Sequence, residues 1–381
     1  MPMPVERTIF SEEHEAFRST VRRFMEDEIA PHMETWMAQG YVDRQIWRRA
    51  GELGLLCATI PEEYGGSGAD RKYSAVLIEE QQRINAVGPG FAMHSEIVAP
   101  YIFRYGSAEQ KSKWLPLLAS GQMIGSLGMT EPSAGSDLQR IKTHAKRSGD
   151  EFVINGSKTF ITNGYMTDLI VLCTKTDAAL GAKGVSLILV EADRVGFRKG
   201  RILNKIGQKA QDTAEIFFDD VRVPTGNLLG EEGHGFSYLM QELAWERLII
   251  AIRSVAGAVE AIEATVRYTK ERSAFGKKLL DFQNTKFKLA ECKTEAQIAR
   301  VFVDSCIDAA VRGELSGETS AMAKWWCSEL QNRVLDVCVQ LHGGYGYILD
   351  YPVARAWADA RAQMIYGGTN EIMKEIIGRG L

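Results

Sequence analysis

The sequence predicts an α+β multidomain chain in three parts. An N-terminal α-helical domain covers residues 1–122, a middle antiparallel β-barrel or sandwich domain 123–232, and a C-terminal four-helix-bundle domain 233–381. Three observations carry this. Apolar residues recur every three to four positions through both outer parts, the period of an amphipathic helix. Near Met123 the pattern changes to short β-rich runs separated by turn residues. No long helical stretch separates those runs, so an antiparallel sheet fits better than a doubly wound parallel one.

In the first part, Ser11 opens a run that places Phe17, Val21, Phe24 and Met25 on one face. Gly40 interrupts it, and Arg44 to Leu55 resumes it. The stretch Ile60-Pro-Glu-Glu-Tyr-Gly-Gly-Ser-Gly68 reads as a turn-rich loop. Tyr73 to Ala86 and Phe91 to Tyr105 are helices separated by Gly88-Pro-Gly90. Ser107-Ala-Glu-Gln110 is a capping box that opens the helix carrying Trp114 and Leu118. In the middle part the β-type runs are Glu151–Ile154, Leu169–Cys173, Val185–Val190 and Ala214–Phe218. From Gly235 helical spacing returns: a long run from about Phe236 to Thr269, then Phe282 to Arg312, Ser320 to His342 and Val353 to Met364.

Bulk properties exclude several classes of function. The chain has 381 residues, 45% hydrophobic and 25% charged, the composition of an ordinary globular protein. A net charge of -4 without a basic tract argues against nucleic acid as a main partner. No apolar run approaches the ~20 residues that span a bilayer. Met1–Glu6 resembles neither a signal nor a transit peptide, so a cytoplasmic, bacterial-type location is expected. The six cysteines are scattered and form no C-x-x-C pair, as expected of reduced, packed thiols. The six histidines show no ligand spacing, so no metal site is expected.

The long run from Phe236 carries Leu243-Ala-Trp-Glu-Arg-Leu248. Glu246 shares its helix face with Glu242, Leu243, Ile249 and Ile250, three of which are apolar. A carboxylate held there loses solvation and becomes a better base near neutral pH. On its own the helix favours a paired or solvated glutamate at the edge of an amphipathic stripe. Four loops supply further candidates. Met129-Thr-Glu-Pro-Ser-Ala-Gly-Ser-Asp137 offers hydroxyls and backbone N–H groups for a diphosphate or a heterocycle edge. Lys158-Thr-Phe-Ile-Thr-Asn-Gly164 reads as a strand end that walls a flat ring, or as a plain hairpin edge. Gln340-Leu-His-Gly-Gly-Tyr-Gly346 permits close backbone approach to a ligand, or simply ends a helix. In Ile365-Tyr-Gly-Gly-Thr-Asn-Glu-Ile372, Thr369 can cap a final helix.

In this order, these motifs make the whole chain resemble the acyl-CoA dehydrogenase family. Gly88-Pro-Gly-Phe91, Lys209-Ala-Gln-Asp-Thr-Ala214, Glu246-Arg-Leu248 and Tyr366–Lys374 are most similar to its long-chain branch. The resemblance implies FAD bound between the β-domain and the C-terminal helices, with a neighbouring subunit completing the site in a homo-oligomer, expected to be a tetramer. It assigns Leu127, Met129, Thr130, Gly135 and Ser136 to the flavin and its diphosphate, and Phe160, Ile161 and Thr162 to the ring. Arg272, Phe275, Gln283, Gln340, Leu341, His342, Gly343 and Gly344 would reach the neighbour's FAD. Thr369, Asn370 and Glu371 would finish the adenosine-diphosphate end.

Many family members carry the catalytic glutamate directly after the tyrosine of the last loop. Here that position is Gly367, and in the long-chain and isovaleryl branches the base matches Glu246. Glu242 and Glu371 are rivals. The implied reaction is α,β-dehydrogenation of an acyl-CoA thioester. Its carbonyl would be held by the Gly367 N–H and a ribityl hydroxyl of FAD, and electrons would pass to an electron-transfer flavoprotein. Ser136, Ser237, Ala244, Trp245, Arg247, Gly367 and Gly368 would meet the substrate, whose tail would run between the two helical parts. Gly88-Pro-Gly90 reads either as a helix opened for that tail or as an interhelical turn. Ser237 stands where the long-chain members carry a tyrosine near CoA, which keeps an acyl-carrier-protein thioester open. A flavin oxidase or monooxygenase would suit the same fold, as would a non-catalytic scaffold.

Overall fold

A computed structural model describes residues 7–381. The expectation that Met1–Glu6 carries no targeting signal concerns residues outside that range. Helices occupy the chain up to Ala119: α1 (Glu12–Phe24), α2 (Met33–Gln39), α3 (Arg44–Glu52), α4 (Arg71–Arg83), α5 (Ala99–Tyr105) and α6 (Ala108–Ala119). The expected capping box is present at α6. Ser107 Oγ accepts from the Gln110 N–H at 3.2 Å, and the Ser107 N–H donates to Gln110 Oε1 at 3.1 Å. Gly40 ends α2 in the left-handed conformation at φ 86°, which glycine adopts without a Cβ clash.

Eight strands follow: β1 (Gly125–Gly128), β2 (His144–Ser148), β3 (Glu151–Thr162), β4 (Leu169–Lys175), β5 (Val185–Glu191), β6 (Phe197–Ile202), β7 (Thr213–Pro224) and β8 (Leu228–Leu229). Their order is β6-β7-β3-β2-β4-β5-β8, with β1 alongside β4. The sheet differs from a wholly antiparallel one: β1 pairs with β4 in parallel, and β2 touches β4 in parallel at His144 and Lys175. Both cases join segments separated by further strands or loops rather than by a hairpin turn.

The unbroken apolar runs of β4 and β5 have a simple cause: both faces are covered. Ile170, Leu172, Ile188 and Val190 pack with Phe152, Ile154, Ile216 and Phe218 inside the β-domain. Leu169, Val171, Cys173, Leu187 and Leu189 face the other way, into a core shared with Trp114, Leu118 and Ile124. A strand buried on both faces does not alternate. The β-domain is thereby fixed to the N-terminal helices.

The C-terminal part is built on α7 (Gly235–Glu271, 37 residues), which packs along α8 (Gln283–Val311) and α9 (Gly317–His342). Between α7 and α8 lies a small hairpin of β9 (Ser273–Ala274) and β10 (Lys277–Lys278), and α10 (Pro352–Ala360) and α11 (Asn370–Gly378) close the chain. α4 also packs on α7, joining the two helical parts. That junction carries a buried charge cluster. Glu79 of α4 accepts from Arg7, Arg18 and Arg300 at 2.7–3.0 Å. Burial alone would raise its carboxyl, yet Arg300, Arg7 and Arg18 hold it down at about 2. Among the described residues, no helix is long and apolar enough to cross a membrane.

Gly88 and Gly90 fall between α4 and α5, where the β-domain comes up against the helices. A Cβ on Gly88 would lie 2.9 Å from the Ala210 side chain, and one on Gly90 would strike the Asn163 amide. Asn163 Nδ2 donates to the Gly90 and Gly125 carbonyls, both at 3.2 Å. These glycines serve close packing between the domains.

Candidate active site

Glu246 lies early in α7, half-buried and facing α5. Its Oε1 accepts from the Tyr101 hydroxyl at 3.0 Å. Burial pushes the carboxyl up to about 7; Tyr101 and Arg247 oppose that rise and Glu242 adds to it. A carboxyl poised there can exchange a proton near neutral pH. One turn later on the same face is Ile250, and against it sits Gly367, at φ 67°. The glycine at the alternative base position therefore faces the helix that carries Glu246.

The rival carboxylates are occupied differently. Glu242 is buried and accepts from Arg104 at 2.9 Å and from the Tyr105 hydroxyl at 2.8 Å, so it is a structural ion pair. Glu371 is exposed, and its carboxyl is held low by backbone and Thr369 hydrogen bonds at the start of α11. Neither is placed as a base.

The first two loops form one unit. Lys158 is fully buried and donates to Glu131 at 2.8 Å and to the Met129 carbonyl at 3.0 Å, while the Thr159 N–H donates to the Thr130 carbonyl at 2.9 Å. Glu131 also accepts from the Lys142 and Thr143 N–H groups. Leu127 and Ile161 are buried, Met129, Thr130 and Thr162 half-buried, and Gly135 and Ser136 exposed. Phe160 is 66% exposed and held at φ 58°, a left-handed conformation uncommon for an aromatic residue. The last loop is held by Lys324, whose buried Nζ donates to the Gly368 carbonyl and to Asn370 Oδ1, both at 2.8 Å. Thr369 caps α11 as expected, accepting from the Ile372 N–H. The Asn370 side chain is thus committed to the fold. Tyr366 and Arg247 each bring to this region a buried polar atom without a hydrogen-bond partner among the described residues, the Tyr366 hydroxyl and Arg247 Nε.

A second group lies at the far end of α7. Arg272, Phe275 and Gln283 are exposed, Phe275 at 96%, as are Gln340, Gly343 and Gly344; Leu341 is half-buried. His342 turns inward, bonding the Cys338 carbonyl at 2.8 Å and stacking on Tyr268 at 4.2 Å, so its side chain faces the fold rather than the surface. The 26 residues from Glu246 to Arg272 correspond to about 39 Å of helix. Arg272 therefore lies far along the helix from Glu246.

Substrate candidates also separate. Ser237 is exposed, and beside it Tyr238 stacks on Tyr105 at 4.0 Å. Ala244 and Trp245 line a cavity of about 470 Å³ between the two helical parts, with Arg71, Glu96, Arg104 and Glu242 also in its wall. Trp245 is buried beneath the Arg71 guanidinium, 4.5 Å from its ring centre. Glu246 does not line this cavity. The residues missed from the sequence are Tyr101, Lys158 and Lys324. Tyr101 and Tyr105 repeat the four-residue spacing of Glu242 and Glu246, which alone does not pair the two helices, whereas Lys324 interrupts a stripe of small residues on α9 and is a signal in the sequence.

Family models match nearly all of this chain: acyl-CoA dehydrogenase N-terminal domain over residues 11–122, middle domain over 126–221 and C-terminal domain over 233–381. The chain belongs to the acyl-CoA dehydrogenase family, FAD-containing oxidoreductases acting on CH–CH bonds. It is 52% identical to the long-chain specific acyl-CoA dehydrogenase of Mus musculus mitochondria, over 98% of this chain and 87% of that protein. It is 38% identical to an acyl-CoA dehydrogenase of Bacillus subtilis, over 97% and 98%. A crystal structure of acyl-CoA dehydrogenase from Geobacillus kaustophilus superposes with a TM-score of 0.96 at 47% identity, covering 97% of this chain and 98% of that one. The residues present suit FAD. Gly135, Gly343 and Gly344 have nothing within 4 Å of a Cβ position, leaving open backbone for a ligand, and Phe160 offers an exposed ring face.

Proposed function

We propose that this enzyme dehydrogenates a medium- or long-chain or branched acyl-CoA to the trans-2-enoyl-CoA, with Glu246 as the base, as in fatty acid β-oxidation. The observation that carries the reading is the half-buried Glu246 carboxyl, pushed up to about 7, with Gly367 facing the next turn of its helix. Glu246 takes the α-proton. The Gly367 N–H donates to the thioester carbonyl and stabilises the charge that develops there. Lys324 holds that turn from behind. FAD, when bound, supplies the acceptor for the hydride leaving the β-carbon. Met129, Thr130, Ser136, Phe160 and Thr162 hold the flavin from the β-domain. Arg272, Phe275, Gln283 and the Gln340–Gly344 loop do so from a second copy of the chain, so the enzyme works as a homo-oligomer, a tetramer on this reading. The length of α7 between the two groups supports the shared site. Six buried, unpaired cysteines suit a reducing compartment such as the cytoplasm. An electron-transfer flavoprotein would take the electrons onward.

The test is anaerobic bleaching of the yellow enzyme with acyl-CoAs of graded length and branching. Parent enzyme bleaches; Glu246→Gln keeps its colour and barely bleaches. Rapid reoxidation in air with peroxide release would instead favour an oxidase, and a colourless protein that cannot take up FAD would favour a scaffold.

A further inference from the structure

The two glutamates one turn apart on α7 meet α5 at residues that are also one turn apart. Tyr101 donates to Glu246 Oε1 at 3.0 Å, and Tyr105 donates to Glu242 Oε1 at 2.8 Å. Arg104 adds an ion pair at 2.9 Å to Glu242 alone. Tyr101 is fully buried in the N-terminal core, and Glu246 is the partner of its hydroxyl among the described residues. Glu246 Oε2 has no protein hydrogen bond among those residues. Glu242 therefore takes two donors on its Oε1, one of them charged, whereas Glu246 takes a single neutral donor on its Oε1.

Resting on the reading of Glu246 as the base, we propose that Tyr101 is a positioning residue: its hydroxyl fixes one carboxylate oxygen against α5 and leaves the other for the substrate's α-proton, while Glu242, locked by Arg104 and Tyr105, stands one turn away as a fixed negative charge. The surroundings of Glu246 leave few other ways to set its proton affinity. From α5 it meets Tyr101, with Tyr105 and Arg104 engaged by Glu242. From α7 it meets Glu242 and the buried Arg247, and Lys324 of α9 lies near Arg247 rather than near the carboxylate. The Tyr366–Gly368 turn adds a buried hydroxyl and no formal charge. A donor to an ionised carboxylate favours the charged form, and a neighbouring anion disfavours it. Tyr101 and Glu242 thus act on the same group in opposite directions.

The experiment is the pH profile of kcat/KM, with an infrared titration of the Glu246 carboxyl in the substrate-free holoenzyme assigned by its loss in Glu246→Gln. In Tyr101→Phe the acid limb and the carboxyl midpoint both move up by about one pH unit, the scale of a lost charged hydrogen bond. This is a roughly tenfold loss of rate on the acid side that higher pH restores. In Glu242→Gln both move down, so the idea remains testable should the tyrosine variant fold poorly. A loss of rate that is uniform across pH, or an unmoved carboxyl midpoint, overturns the proposal. If Glu246→Gln itself keeps full activity, the base assignment falls; if it is inactive while Tyr101→Phe matches the parent midpoint, only the role of Tyr101 falls.

Discussion

Gly367 lies directly against Ile250, one turn beyond Glu246 on α7. At φ 67° the glycine occupies a conformation that L side chains rarely adopt, and a Cβ there would strike Ile250 Cδ1. The alternative base position thus packs on the residue one turn beyond the proposed base. In Glu246→Gln, adding Gly367→Glu should fail to restore flavin bleaching. Gly367→Ala alone should lower stability by about 1–3 kcal/mol through backbone strain and overpacking. Thermal denaturation of the holoenzyme reads the cost, and trimming Ile250 to Val should return part of it. Full recovery of bleaching by the relocated glutamate would refute this account.

The Glu246 carboxyl also links stability to pH. Its folded value of about 7 lies above the ordinary 4.5, so between those values the folded chain holds a proton that the unfolded chain has released. Stability contributed by this group falls as pH rises through that window, and above it the buried charge is a standing cost. Glu246→Gln should therefore be more stable than the parent at pH 8, by about 1–3 kcal/mol, and the difference should shrink toward pH 5. Urea unfolding at the two pH values checks this.

Lys324 supplies the donors that hold the Gly368 carbonyl and Asn370 Oδ1. Lys324→Met leaves both acceptors buried with fewer partners, a cost of about 1–3 kcal/mol each. Because the same turn carries Gly367, substrate turnover should drop more than the melting temperature suggests. Comparing kcat with the denaturation midpoint separates the two effects.

The Lys158–Glu131 pair lies beneath the Met129–Asp137 loop at 2.8 Å, with both side chains buried. Removing the lysine alone strands a buried carboxylate, and the expected loss is about 3–5 kcal/mol. Lys158→Met with Glu131→Gln should lose clearly less. Flavin affinity, followed by fluorescence on dilution, should weaken in the single variant first.

Phe275 is 96% exposed on the β9–β10 hairpin and stands at φ 52°. A large ring presented in this way fits a partner's surface. Phe275→Asp should shift sedimentation toward smaller species and release flavin, while an isolated chain retains its helical circular dichroism. An unchanged assembly that keeps its colour would remove this hairpin from the contact.

Much of the fold and of the site is legible in the residues themselves, for physical reasons. Helical spacing and the capping box at Ser107 are local properties, so the residues announce them. Glu246 is legible because its apolar neighbours at three and four positions predict desolvation without knowledge of the partner helix. The parallel pairing of β1 with β4 is not legible, since it joins residues more than forty positions apart and no turn specifies it. Tyr101 is hidden for a related reason: the spacing on each helix is visible, but only packing shows that α5 and α7 meet in register. His342 and Asn370 show what a motif leaves unsaid. A motif marks a position, and both side chains prove to be engaged by the protein itself.

The length of α7 has a genetic consequence. On the proposed arrangement each polypeptide lends a base to one centre and an arginine to another. Two defective versions, one lacking the glutamate and one lacking Arg272, could then complement each other when co-expressed. A fraction of the mixed centres would draw an intact half from each parent.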